Sequence, residues 1–327
     1  MSGAESLTLS KVREAILYAA KNYKDSVDCE LEFAEKVRLF PQVLQARLRR
    51  SQYVVEQLNV NRNCVLADLG SGNGLNSVLV MMCGARQVYA IEYEEQRFKT
   101  SEFIVNFLGL TDKVHLCRAD LLEFNLPRGS IDGAYSSELL EHIADLPKLY
   151  RKVGVWLKSL GKVYARTGAN GRNFLKRRFF RQEWEKCDRG YQKQRKEIIR
   201  LKVPHLSAEQ ISILVDRTRG LLSREVEMEV ERFIKTGKFP IDKRPCPPRD
   251  PYTGEYMERA LDAFEIAKLI DKENFTTRVM KPDFSSLTIV NPLKRQTCWF
   301  LGQIIKHTHP LSLCVAPWLE FLSTKNV

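Results

Sequence analysis

Val65-Leu66-Ala67-Asp68-Leu69-Gly70-Ser71-Gly72-Asn73-Gly74 is the stretch whose reading decides the fold. A short apolar run ends in three spaced glycines, and a helical pattern starts at about Leu75. A strand that turns through glycines into a helix opens a βαβ unit and predicts a mostly parallel sheet. Glycine permits the tight turn and lets a ligand approach the backbone, while the helix N-terminus offers free N–H groups. Alone, such a loop is a weak sign of any one ligand.

Three neighbouring features narrow the ligand. The spacing is G-x-G-x-G, whereas the dinucleotide fingerprint G-x-G-x-x-G seats a pyrophosphate at the helix N-terminus. Asp68 stands at the loop's entrance, where a carboxylate would repel a pyrophosphate but suits an amino group. Glu92 closes the next strand, about twenty residues on, where an acidic side chain can accept both ribose hydroxyls. The ligand so described has a ribose and an ammonium group and lacks phosphate, which disfavours an NAD-dependent oxidoreductase.

Outward from the loop, strand and helix alternate. Strands are expected at Cys64–Leu69, Gln87–Ile91, Val114–Arg118, Ile131–Tyr135 and Lys162–Arg166, with amphipathic helices at Leu75–Met82, Glu95–Leu108 and Leu146–Leu160. Two or three helices precede them between Leu7 and Leu58. After Gly168 the alternation stops, and residues to about Lys243 read as basic helices. A Pro-rich turn follows, then a helix from Asp262 to Ile270 and strands near Phe275–Lys281 and Trp318–Thr324. The expected organisation is N-terminal helices over 1–60, an α/β ligand-binding core over 61–169, a helical insertion over 170–260 and a return to the sheet over 261–327.

The motifs Val65 to Gly74, Ile91-Glu92, Ala119-Asp120-Leu121 and Ile131 to His142 together resemble those of class I S-adenosylmethionine (SAM) dependent methyltransferases. The Ser137-Glu138-Leu139-Leu140-Glu141-His142 segment is similar to that of small-molecule enzymes related to the ubiquinone pathway. The resemblance covers about residues 60–168 and the last strand. It implies a Rossmann-like α/β sheet of seven strands, the last antiparallel, and SAM as cofactor. It places Asp68, Gly70 and Gly72 against the methionine moiety, with Ser71, Gly74 and Leu75 also among the cofactor-binding residues. Glu92 would hold the ribose, with Tyr93 beside the adenine. Asp120 would bond the adenine amino group and Leu121 would line its pocket. Ser136 and Ser137 would lie near the sulfonium. Other readings make Glu92 and Asp120 helix N-caps and Tyr93 a surface aromatic.

Methyl transfer needs alignment more than proton chemistry, so no strict catalytic pair is required. His142 is the candidate base, because histidine titrates near neutrality; otherwise Glu141-His142 braces a helix. Arg166 and Asn170, near the carboxyl end of the fifth strand, should border the acceptor. Tyr252, Glu255 and Tyr256 would fold over it from a polar turn, or belong to an ordinary surface loop. No metal site is expected.

The net charge is +12, and Arg172 to Lys202 hold twelve Lys/Arg against four Asp/Glu. The excess belongs to one segment. Its first helix aligns Phe180, Trp184, Cys187 and Tyr191 in one stripe, with the basic residues elsewhere around it. It reads as a packed helix with a solvated face, as a phosphate-binding substrate lid, or as a helix lying on a membrane surface. With the downstream Asp-Pro-x-Thr-Gly-Glu stretch, it is similar to bacterial methyltransferases of glycan or secondary-metabolite synthesis. The acceptor expected is a small molecule or glycan-type metabolite, methylated on O or N and open to being anionic. The alternatives are an RNA methyltransferase using the basic insertion and a non-catalytic SAM-binding protein. Eight scattered cysteines, no apolar span and no secretory pattern predict a cytoplasmic protein.

Overall fold

The computed structural model describes residues 7–22, 28–241, 249–252, 259–281, 293, 296–297, 299–300 and 311–327. They divide into two compact units. Met1–Leu140, Asp145–Gly168 and Ala263–Val327 bound the pieces of the first, and Glu141–Ala144 with Ala169–Asp262 those of the second. No helix among the described residues is long and apolar enough to cross a membrane.

The first unit begins with helices α1 (Leu9–Asn22), α2 (Asp28–Leu39) and α3 (Gln42–Leu58). Then come β1 (Val65–Leu69), α4 (Leu75–Met82), β2 (Gln87–Glu92), α5 (Glu95–Phe107), β3 (Val114–Arg118), β4 (Ile131–Ser137), α6 (Leu146–Trp156) and β5 (Leu157–Thr167). In the second unit lie α7 (Phe174–Lys202), α8 (Ala208–Arg217) and α9 (Ser223–Thr236). The first unit resumes with α10 (Ala263–Asp271), β6 (Phe275–Val279) and β7 (Leu319–Lys325).

Among the described residues, seven strands form one sheet in the order β3-β2-β1-β4-β5-β7-β6. β7 runs antiparallel to both β5 and β6, and the other pairings are parallel. All five residues of β1 are buried, as a central strand covered on both faces requires. On one face Val54, Val55 and Leu58 of α3 pack with Leu66, Tyr135, Tyr164 and Leu322. On the other, the Tyr150 ring of α6 meets Phe275 edge-on at 5.5 Å. The strand order reverses at β1, so β2 and β4 flank its end. That is the switch point at which open α/β sheets bind ligands.

The helix expected over Leu146–Leu160 is cut short. Leu157 turns extended (φ −69°, ψ 140°) and pairs with Ile131, so β5 claims four residues that carry a helical pattern. Sheet pairing outweighs local periodicity there.

The second unit has a core of its own, with Ile199, Leu214, Val226 and Val230 fully buried. Asn173 caps α7, Ser207 and Gln210 form a capping box on α8, and Gly237 ends α9 in the left-handed conformation. A parallel bridge between Asn170 and Leu261 ties the unit's two ends. Much of the α7 charge is exposed, including Arg177, Arg178, Lys186 and Arg189. Arg195 is the exception. It is buried, donates to the Val215 carbonyl (3.1 Å) and faces Asp188 at 3.6 Å.

Candidate functional site

Gly70, Gly72 and Gly74 all take positive φ, at +68°, +56° and +75°. The three are held for two different reasons. A Cβ on Gly70 would strike Leu139 Cδ1 at 2.7 Å, and one on Gly74 would strike Ser101 Cβ at 2.9 Å. A Cβ on Gly72 would meet nothing within 4 Å. The first and third glycines therefore serve packing, and the middle one fronts open space of the kind a ligand fills.

Glu92 closes the loop. Its Oε2 accepts from the Gly72 N–H (2.7 Å) and its Oε1 from the Glu94 N–H (2.9 Å). Each carboxylate oxygen keeps a further lone pair, so the group can still take ribose hydroxyls. The N-cap of α5 is Glu94, which accepts from Gln96 and Arg97, so Glu92 is released from that role. Two neighbouring hydroxyls are buried without a hydrogen-bond partner among the described residues, those of Ser71 and Ser136. Ser136 pairs in register with Leu69, which places both serines at the carboxyl ends of β1 and β4. Orphaned buried hydroxyls beside an open glycine fit a polar cofactor seated there.

Asp68 is fully buried, and its Oδ2 accepts from Ser77 Oγ at 2.7 Å. Burial pushes its carboxyl up to about 7, with the Glu92 charge adding to the effect, while the hydrogen bonds from Ser77 and Tyr135 oppose it. The charge that sequence reasoning gave Asp68 is therefore half absent near neutrality in the free protein. A cation brought close would restore it.

Of the two residues expected beside the adenine, Leu121 is buried, whereas Tyr93 is exposed. Asp120 is exposed, and its Oδ1 accepts from the Leu122 N–H (2.8 Å) in a tight turn. Ser137 is half-buried and precedes Glu138, a non-glycine residue at φ +55°. Glu138 is pinned by the Gly168 N–H (2.5 Å) and by Arg166 (3.3 Å). Leu75 is buried as the first residue of α4. These residues, with Arg166, belong to the first unit.

His142 and Asn170 belong to the second unit. His142 ends a short 3-10 turn, Leu140–His142, and is half-buried. Asn170 is fully buried, and its Oδ1 accepts from the Arg172 N–H at 3.0 Å, which gives it a turn-forming role. Tyr252 is exposed. Glu255 and Tyr256 lie outside the described residues. Sequence reasoning missed Arg47, Arg50 and Glu320, which meet Arg166. No local motif marks them, because they come from α3 and β7.

Residues 67–165 match the methyltransferase domain family. A Mycobacterium tuberculosis protein named as a probable SAM-dependent methyltransferase is 28% identical over 122 residues, which cover 36% of this chain and 41% of that protein. The sterol 24-C-methyltransferase of Aspergillus fumigatus is 22% identical over 117 residues, covering 36% of this chain and 31% of its own length. The chain thus spans less than half the length of the curated relatives it matches. A solved complex of the Haloferax volcanii Trm112 methyltransferase activator with a methyltransferase aligns at 10% identity and a TM-score of 0.49. That alignment covers 95% of this chain and 98% of the other. The family match falls on the strands and loop that carry Gly70, Glu92 and Ser136, so residues 67–165 carry a domain of the SAM-dependent methyltransferase type.

Proposed function

We propose that the chain transfers a methyl group from SAM to an O or N atom of a small molecule or glycan-type metabolite. One observation carries the cofactor half of this reading. Glu92, open Gly72 and the unpartnered Ser71 and Ser136 hydroxyls converge where the strand order reverses. When bound, SAM supplies an electrophilic methyl on a sulfonium that leaves without acid help.

The chain's own residues supply binding and alignment. Glu92 accepts the ribose hydroxyls, Gly72 leaves room for the ligand backbone-close, and Asp68 answers the ammonium group by giving up its proton. Arg166 borders the acceptor. His142 is the proposed proton acceptor when the nucleophile is a hydroxyl, and the second unit, with Asn170 and Tyr252, is the proposed substrate lid. Alignment of this kind supplies roughly 7–11 kcal/mol at best.

The test is SAM turnover, read as S-adenosylhomocysteine release, over a panel of hydroxylated and amino metabolites, glycans and RNA. Turnover on a small acceptor supports the reading. Turnover confined to RNA sinks the acceptor half, and tight SAM binding with no turnover anywhere supports the non-catalytic alternative. The exposed basic face of α7 is the feature that keeps RNA in the panel. Salt-dependent RNA binding would accompany that outcome.

A further inference from the structure

We infer that Arg47, Arg50 and Arg166 form an oxyanion subsite that receives a phosphate or carboxylate group of the acceptor. The word acceptor rests on the proposed methyl transfer; the anion site does not.

Arg47 and Arg50 lie three residues apart on α3 and share a face. Arg50 Nη2 donates to the Tyr164 hydroxyl (2.7 Å) and pairs with Glu320. Arg166 lies over the Trp318 ring at 4.5 Å, with its Nε 3.9 Å from the same Glu320 Oε1. One buried carboxylate oxygen thus serves two guanidiniums. The second carboxylate, Glu138, already accepts from the Gly168 N–H. Three arginines face two glutamates, so one positive charge is left uncompensated, even though Glu320 Oε2 is itself buried without a hydrogen-bond partner.

The unmet donors are specific atoms. Arg166 Nε is buried without a hydrogen bond among the described residues. Arg47 is half-buried, with its Cζ 5.3 Å from the centre of the Phe33 ring, a contact that uses none of its five N–H donors as a hydrogen bond. It has no hydrogen bond or ion pair among the described residues. Burial lowers its pKa, and Arg166 and Arg50 add to this as like charges while Glu138 opposes them. Partly buried cations in excess over their carboxylates are costly unless an anion completes them. The planar fork of arginine matches phosphate and carboxylate oxygens in pairs.

The position suits an acceptor. Arg166 pairs in register with Ser137, so the cluster stands at the carboxyl end of β5, two strands from β1 and the glycine loop that follows it. The exposed face of α7 is also basic, but its Lys193, Lys196 and Arg200 side chains are solvated, and the buried Arg195 beside them already has Asp188 and the Val215 carbonyl.

The experiment is isothermal titration of the full chain with inorganic phosphate, pyrophosphate and acetate at fixed ionic strength. S-adenosylhomocysteine is titrated in parallel. Arg47→Gln is the test variant, because Arg50 and Arg166 also hold the fold together; Lys196→Gln is the control. The expected result is saturable binding of at least one oxyanion, weakened about tenfold or more in Arg47→Gln and unchanged in Lys196→Gln. The tighter of the phosphate and acetate arms names the group. No saturable binding to wild type, equal binding by Arg47→Gln, or an equal loss in Lys196→Gln overturns the subsite. Failure of S-adenosylhomocysteine to bind wild type would sink the cofactor reading instead and leave the anion result standing.

Discussion

Asp68→Asn separates a buried neutral carboxyl from a permanently charged one. Burial raises the Asp68 pKa from 3.8 to about 7. The folded chain therefore holds this proton more tightly than the unfolded chain does. The group's contribution to stability is fully present below pH 3.8 and is lost as pH rises to 7. A difference of that size corresponds to about 4 kcal/mol in total, since each pH unit between the two values costs about 1.4 kcal/mol. Asparagine can keep the Ser77 hydrogen bond but does not titrate. Urea denaturation of both proteins from about pH 4.5 to 7.5 should show the mutant gaining about 3 kcal/mol on the wild type, with most of the gain complete by pH 7. Taking the difference removes the other titrating groups. Parallel curves, or a wild type that gains on the mutant as pH rises, would refute the buried-proton argument.

The remaining predictions concern the ligand. SAM affinity of the wild type should rise with pH up to about 7, because the ammonium group favours ionised Asp68, and Asp68→Asn should be flat; calorimetry in buffers of different ionisation enthalpy reads the released proton. Glu92→Gln removes a charged acceptor worth about 1.5–3 kcal/mol, so the SAM Kd should rise roughly 10- to 100-fold, and an unchanged Kd would dismiss Glu92 as the ribose holder. Gly72→Ala forces a side chain into positive φ at a cost of about 1–2 kcal/mol. Its Cβ also enters the open space, so SAM binding should fall more than that strain explains, as thermal melts and titration together would show. His142→Asn should lower kcat by about 100-fold or more with the SAM Kd unchanged; a loss of folding stability with kcat intact would assign His142 to bracing.

Much of the first unit was legible because its signals are local. The β1 run, the glycine spacing and the helix that starts at Leu75 lie within eighteen residues of one another, and turn chemistry acts over that range. The place of Glu92 at the end of β2 was legible for a related reason, since one βα unit has a nearly fixed length. The boundary between α6 and β5 was not, because Leu157 is claimed by a partner strand that begins at Ile131.

The sequence by itself determined the alternation of strand and helix, the cofactor loop and the concentration of charge in α7. Only the tertiary structure decided what those residues are chemically. It buried Asp68 and so made its charge conditional. It turned Arg195 from a surface cation into part of a core. It brought Arg50 to Tyr164 and Glu320, 114 and 270 residues away along the chain. The reason is physical: propensity and periodicity act between near neighbours, whereas desolvation and charge pairing depend on whatever the fold places within a few ångströms.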